Sequence, residues 1–423
     1  MNKTSNLRIC IIDNIGGSYL NIALKLSPYF SKTYYWSNNQ SPFPRLSLSA
    51  IGLGFDEIEV LTSFWDNLDL FDLVIIPDVY FSSYAAPLRK LGKLVFGGSP
   101  SERLETDRKL FKETLQRLNL PVAPYVYIKG VNNLKKYLSN KSNLWAKISF
   151  WRGESETFNF INKQHSGNVI EEMLFNLGEL ESEVEFVVEK ALNNTVAEIG
   201  FDGYSVLGQF PKVPLQGIEC KNVGYIITAQ NIFPPVTEIN TAFAPVLKAY
   251  QHIGFYSTEI RYSDKGESFY IDPCMRAGMP PSNVYLEMIS NWDEILPAAA
   301  RGEFVEPKYK TKYGCEIILK SSYVNTNFLN ISFPPEYTNN VALKGAFKVD
   351  GQISIIPFKK FTGFELEEVG SVIVTGNDLN QILTRSIEIA ASVEGYDLRF
   401  DENALEKVME SVTAAEKVFN VKF

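Results

Sequence analysis

Apolar runs of strand length punctuate the first part of the chain, and stretches of helical spacing separate them. Residues 7–13 (LRICIID) form a β-branched run that enters the turn 14–18, after which 19–26 has helical spacing. Residues 32–36 read as a second strand, followed by a loop rich in Pro and Asn at 37–45. The alternation continues through apolar runs at 58–61, 73–77 and 93–96, which predicts a small, mostly parallel sheet ending near residue 122. Helical spacing over 104–118 predicts one amphipathic helix, stopped at Asn119-Leu120-Pro121. A strand and a helix follow through 125–138. The next strand, 144–148, carries Lys147 among otherwise apolar residues. A charge inside such a run is costly to bury unless paired, so Lys147 either reaches solvent or meets an anion. Beyond it, 149–157 is a polar loop around the single glycine Gly153. Further strands are expected at 186–192, 197–201, 315–319, 342–348, 353–357 and 370–374, and helices at 378–393 and 402–419.

The chemistry centres on 256–283. Two strand-like runs, 256–262 and 268–272, flank the turn Ser263-Asp264-Lys265-Gly266, which predicts a hairpin. Side chains alternate along a strand, so the hairpin can bring Glu259 and Asp272 onto one face. Two close carboxylates repel unless a cation or a proton lies between them, and hard oxygen ligands suit Mg²⁺ held jointly with phosphates. Arg276, four residues after Asp272, is spaced to meet a terminal phosphate. Taken alone, the hairpin reads first as an exposed turn with solvated acids. The turn Asn14-Ile15-Gly16-Gly17-Ser18, between a strand and a helix N-terminus, either holds an anion or only turns the chain. Arg108, Lys109 and Lys112 read as a solvated helical face.

Composition narrows the classes. At 423 residues the chain exceeds one ordinary core, and two or three domains are expected. A net charge of −8 gives no general electrostatic grip on nucleic acid or anionic membrane. No apolar run approaches the length of a membrane span, and residues 1–6 with the short run after them make no signal peptide. Cys10, Cys220, Cys274 and Cys315 are scattered without metal-type pairing, as in reduced cytoplasmic proteins. His165 and His252 are the only histidines, which argues against histidine triads and histidine-rich metal sites. The chemistry must come from carboxylates, cationic side chains and backbone.

With these features in place, the chain resembles the ATP-grasp superfamily, most closely the phosphoribosylamine–glycine ligases. The likeness is carried by 95–123 (VFGGSPSERLETDRKLFKETLQRLNLPVA), by 11–26 (IIDNIGGSYLNIALKL) and by the length and pattern of 342–401. It implies an ATP-grasp fold of mixed α/β and α+β class: an N-terminal pre-ATP-grasp α/β domain over 1–122, ATP-grasp lobes over 123–311, and a small C-terminal α+β domain over 312–423. It also implies ATP with Mg²⁺ or Mn²⁺ as cofactors. Lys147 falls where the family has its phosphate-binding lysine, and Arg108 replaces a cation that is normally a lysine. Glu189, Lys190 and Leu192 match the hinge whose backbone reads adenine, and Glu198 the acid that binds the ribose hydroxyls. Asp272 and Arg276 match the metal acid and the phosphate arginine, with Glu259 as the partner acid. Arg276 and Lys147 are then the catalytic cations. Arg152 and Gly153 stand in the phosphate loop. Gly16, Gly17, Arg276, Ser282 and Asn283 are expected at the acceptor.

The departures from the family pattern bear on the substrate. Cys274 stands where the superfamily usually has an asparagine metal ligand, and a neutral thiol is a poor Mg²⁺ ligand. The phosphate loop keeps one glycine. Pro77-Asp78-Val79 and Ala277-Gly278-Met279-Pro280-Pro281 replace the acceptor motifs of the glycine ligases. The expected activity is therefore an ATP-dependent carboxylate–amine ligase with an altered acceptor, acting through an acyl phosphate on small-molecule substrates, as a monomer or homodimer. The alternatives are the genuine purine-synthesis ligase and a nucleotide-binding or structural protein that has lost the chemistry.

Overall fold

The computed structural model describes residues 5–14, 16–37, 48–149, 157–359 and 367–423. The strands Ser5–Asp13, Phe30–Ser37, Glu59–Val60, Leu73–Ile75 and Leu94–Phe96 form one sheet with Ser5–Asp13 at its centre, and all its neighbours are parallel. Its unbroken apolar runs follow from burial on both faces. Ile9 and Ile11 enter one core with Tyr35, Leu73 and Phe96, while Cys10 and Ile12 enter another with Trp36, Val74 and Val95.

A second, antiparallel sheet has the order Tyr125–Lys129, Glu185–Lys190, Leu144–Ile148, Thr157–Phe160. Helices Val131–Leu138 and Lys163–Leu177 cover it and complete a separate small core. The third sheet is the largest. Its eight antiparallel strands run Ser268–Cys274, Ile253–Ser263, Thr195–Val206, Leu215–Cys220, Gly224–Ala229, Tyr313–Lys320, Glu368–Gly376 and Val341–Leu343. Alternation decides what covers each face. At Cys315 the sheet meets helix Leu379–Ala391, with Cys315 Sγ 2.9 Å from Ser386 Oγ. At the neighbouring Gly314 it meets helix Ser282–Met288 through Val284 and Met288. That second face, beyond the reach of this helix, carries the hairpin acids. The predicted boundary at 311/312 falls between strands of this one sheet. A fourth sheet is small: Ala346–Val349, Gln352–Ile355, Leu329–Ser332 and Glu394–Gly395.

Two predicted elements are divided. The helix expected over 104–118 is two helices, Arg103–Thr106 and Arg108–Arg117. Asp107 leaves helical backbone (φ −120°, ψ 92°), and its carboxylate caps the second helix at Leu110 N, 3.0 Å away. The strand expected over 342–348 is broken at Gly345 (φ +57°), and its halves join different sheets. Gly17 (φ +65°) lies against this turn and accepts from Gly345 N at 3.2 Å. A Cβ at Gly17 would come within 2.7 Å of Ile51 Cγ2. Among the described residues no helix is long and apolar enough to cross a membrane.

Candidate active site

The hairpin forms as expected, with Gly266 (φ +81°) in its turn. Glu259 and Asp272 are direct partners across Ile253–Ser263 and Ser268–Cys274, so their side chains leave the same face of the sheet. Burial raises the Glu259 carboxyl above the usual range, and the facing Asp272 and Glu198 raise it further. The Glu259 side chain is still 45% exposed to the cleft, so a cation from solution can reach the pair. On the next strand Glu198 sits opposite Arg261 and accepts from its Nη2 at 3.2 Å.

The small antiparallel sheet supplies the opposing wall. Lys147 is buried and its Nζ lies 2.6 Å from Glu189 Oε1 and 3.9 Å from Asp272. Burial opposes its charge, but Asp272 and Glu189 outweigh burial and hold its pKa above the ordinary lysine value. Glu189 also takes Lys112 Nζ on its other oxygen at 2.6 Å. Burial works against this carboxylate, yet Lys147 and Lys112 together lower its pKa. A cleft of about 470 Å³ lies between the two sheets, lined among others by Lys147, Glu189, Glu198, Glu259, Asp272 and Arg276.

Of the other residues expected here, Lys190 and Leu192 line the cleft. Arg108 is buried at the root of the loop after Lys147. Its Nη1 donates to Ile148 O, its Nη2 to Thr157 Oγ1 at 3.3 Å, and its backbone N to Ser149 O. Arg152 and Gly153 lie outside the described residues. Arg276 is gripped from behind, because its Nε donates to Glu105 Oε1 at 3.0 Å while Met275 N donates to Glu105 Oε2 at 2.6 Å. Cys274 Sγ is turned to Arg276 O at 3.6 Å.

The residues expected at the acceptor are placed differently from one another. Gly16 N donates to Asn14 Oδ1 at 3.0 Å and Gly17 N to Asn14 O at 3.2 Å, so this turn closes on itself and neither glycine lines the cleft. Ser282 and Asn283 are buried at the start of helix Ser282–Met288. Asn283 takes Asn21 Nδ2 at 2.8 Å and donates to Glu316 Oε1 at 3.1 Å. The two segments that depart from the glycine-ligase motifs meet each other, with Ala277 N donating to Pro77 O at 2.8 Å. Beside them Asp78 is buried on Asn14 Nδ2 and Val79 N, and its charge acts on Arg276.

Sequence reasoning missed Glu105 and read Lys112 as part of a solvated face, whereas it is buried on Glu189. Lys112 was legible in principle, since it stands one helical turn from Arg108 on a helix with a buried face. Glu105 carries no local signal, because its partner Arg276 is distant in sequence. As a metal site the hairpin offers two hard carboxylates and part of a coordination sphere. Among the described residues no group of three or more His, Cys, Asp or Glu could hold an ion unaided. The two carboxylates of the pair suit a cation shared with a phosphate-bearing substrate.

No protein-family model matches the chain, and no curated protein matches it. Solved structures do. Phosphoribosylamine–glycine ligase from Thermotoga maritima aligns with 94% of this chain and 100% of its own at 14% identity and a TM-score of 0.70. The biotin carboxylase domain of 2-oxoglutarate carboxylase from Hydrogenobacter thermophilus, solved with MgADP, ADP and bicarbonate, aligns with 96% of this chain and 98% of its own at 12% identity and a TM-score of 0.67. N5-carboxyaminoimidazole ribonucleotide synthetase from Thermotoga maritima aligns with 93% and 100% at 12% identity and a TM-score of 0.58. The chain has the ATP-grasp fold over nearly its whole length.

Proposed function

We propose that this protein is an ATP-dependent ligase that joins a carboxylate to an amine through an acyl phosphate. The observation that carries this reading is the convergence on one cleft of Lys147, from the small sheet, with Glu259 and Asp272, paired on the facing hairpin. The acid pair fits a divalent cation, and Mg²⁺ bound there with ATP would neutralise phosphate charge. Lys147 and Arg276 would meet the charge of the transferred phosphoryl group. Glu189 and Glu105 hold those two cations in place. Glu198 stands where a carboxylate can accept from two sugar hydroxyls. In the first step the substrate carboxylate oxygen bonds to the γ-phosphorus and ADP leaves. In the second the amine nitrogen bonds to the carbonyl carbon, phosphate leaves and the nitrogen gives up a proton. The protein's part is positioning and charge neutralisation. The changed segments at Pro77-Asp78-Val79 and 277–281, which touch each other, support an acceptor unlike that of the glycine ligases. The four free thiols suit a cytoplasmic setting.

The test is release of ADP and phosphate from MgATP, screened with pools of carboxylates and amines, glycine with phosphoribosylamine included. Turnover that needs one pair, and that is lost in Asp272→Asn and Lys147→Ala while the proteins remain folded, is the expected result. Unchanged turnover in either variant would sink the site assignment. Cys274, a weak ligand beside the metal acid, favours a second reading, a nucleotide-binding protein without turnover. That reading predicts tight MgATP binding and no ADP release with any pool.

A further inference from the structure

Beside the acid pair the cleft face of the large sheet goes bare. Gly200 is the direct partner of Glu259 on one side and of Gly217 on the other. One step along the strands, Asp202 is paired with Ser257, and Ser257 with Cys274. Residues two apart on a strand share a face, so this row stands next to Glu259 and Asp272. Tyr225 lies across Gly217, where a Cβ would collide with its hydroxyl, and it donates that hydroxyl to Asp202 Oδ2. The two glycines thus leave a floor closed at one end by Asp202, and Gly200, Gly217, Asp202 and Ser257 all line the cleft.

The polar groups at that end are not spent on one another. Asp202 and Ser257 are each 7% exposed. The Ser257 hydroxyl makes no hydrogen bond of acceptable geometry, although it stands near enough to Asp202 to favour the charged carboxylate. Tyr285 is fully buried on helix Ser282–Met288, with its ring 5.8 Å from that of Phe255, the next residue on the same face before Ser257. Its hydroxyl also has no partner, and it feels the charge of Asp202. A buried hydroxyl without a partner has given up its hydrogen bonds to water and regained none. The unpartnered Ser257 hydroxyl beside a buried carboxylate therefore marks a place for a donor-rich group. Three cations of the cleft are engaged elsewhere: Lys147 on Glu189, Arg276 on Glu105 and Arg261 on Glu198.

We propose that Asp202 and Ser257 form a subsite for a primary ammonium group of a substrate, seated over Gly200 beside the acid pair. An ammonium has three donors and no acceptor, which suits a carboxylate oxygen beside a hydroxyl oxygen. A neutral alcohol or amide offers fewer donors and leaves the carboxylate charge uncompensated in a poorly hydrated corner. Tyr225 positions the carboxylate by occupying its other oxygen. The inference rests on the ligase reading, in which one substrate is an amine, and it gives the amino group of that substrate or of its partner a place.

The test is ligand-detected NMR titration of the full chain with methylammonium and with glycine, acetate serving as the control that lacks the ammonium group, with and without MgADP. Both ammonium probes are expected to bind the wild type better than acetate does. Asp202→Asn should weaken them about tenfold or more, and Ser257→Ala by about threefold to tenfold, with MgADP affinity kept in both. Probes that bind no better than acetate, or equally to wild type and both variants, would overturn the subsite and leave a slot for resident water. Ser257→Ala removes one hydroxyl and keeps the test decisive should Asp202→Asn not fold. Failure of the wild type to bind MgADP would count against the ligase reading instead, since the nucleotide-free titrations still decide the subsite.

Discussion

Glu189 is held between two lysines from different elements, Lys112 on a helix and Lys147 on a strand, and all three side chains are at most 8% exposed. Removing the carboxylate leaves two buried cations facing each other. Glu189→Ala should therefore destabilise the protein by about 3–5 kcal/mol in urea unfolding, whereas Asp272→Asn, at the cleft surface, should change stability little and abolish turnover. A buried histidine gives a pH test at the same scale. His252 is 1% exposed, with Nδ1 2.7 Å from Ser101 Oγ, and burial lowers its pKa from 6.5 to about 4. The unfolded chain binds this proton more readily than the folded one. Its contribution to stability is therefore full above about pH 6.5 and is lost as pH falls toward 4, roughly 3 kcal/mol in all. The unfolding free energy of wild type relative to His252→Asn, followed from pH 7.5 to 4.5, should fall by most of that amount. A flat difference would show that His252 keeps an ordinary pKa. His252 was visible in the sequence only as one of two histidines, because burial is not a local property.

At the scale of elements, the sequence pattern was most informative where neighbours in the chain pair with each other. The hairpin that carries Glu259 and Asp272 needs only alternation and a turn with glycine at its left-handed position, and both are local. Helix 104–118 looked continuous because its apolar spacing runs through Asp107, a polar position that interrupts nothing in the pattern. The break comes from the aspartate cap at Leu110. Asp107→Ala should cost about 1 kcal/mol in thermal unfolding and loosen Arg108, the first residue of that helix, from the strand end at Ile148. The strand at 342–348 was similarly continuous by composition. Gly345, pressed against Gly17 and close to Phe358, sends its two halves into different sheets.

Across the whole molecule, one buried amide joins the parallel sheet's first helix to the large sheet. Asn283 accepts from Asn21 and donates to Glu316, whose carboxyl burial has pushed up to about 7. Asn283→Leu should cost about 2–4 kcal/mol in urea unfolding, because it strands two buried polar partners at once. The sequence by itself determined the alternation of strands and helices, the acid hairpin, the buried-strand lysine and the resemblance to an ATP-grasp protein. These follow from periodicity, turn chemistry and short-range order. Only the tertiary structure decided which groups hold Lys147 and Arg276 and which residues face the cleft. Glu105 meets Arg276 across 171 residues, and Asn21 meets Asn283 across 262. Such pairs exist only after sheets and helices have packed, since the free energy that brings them together comes from burying the surfaces around them and leaves no mark on the residues next to them in the chain.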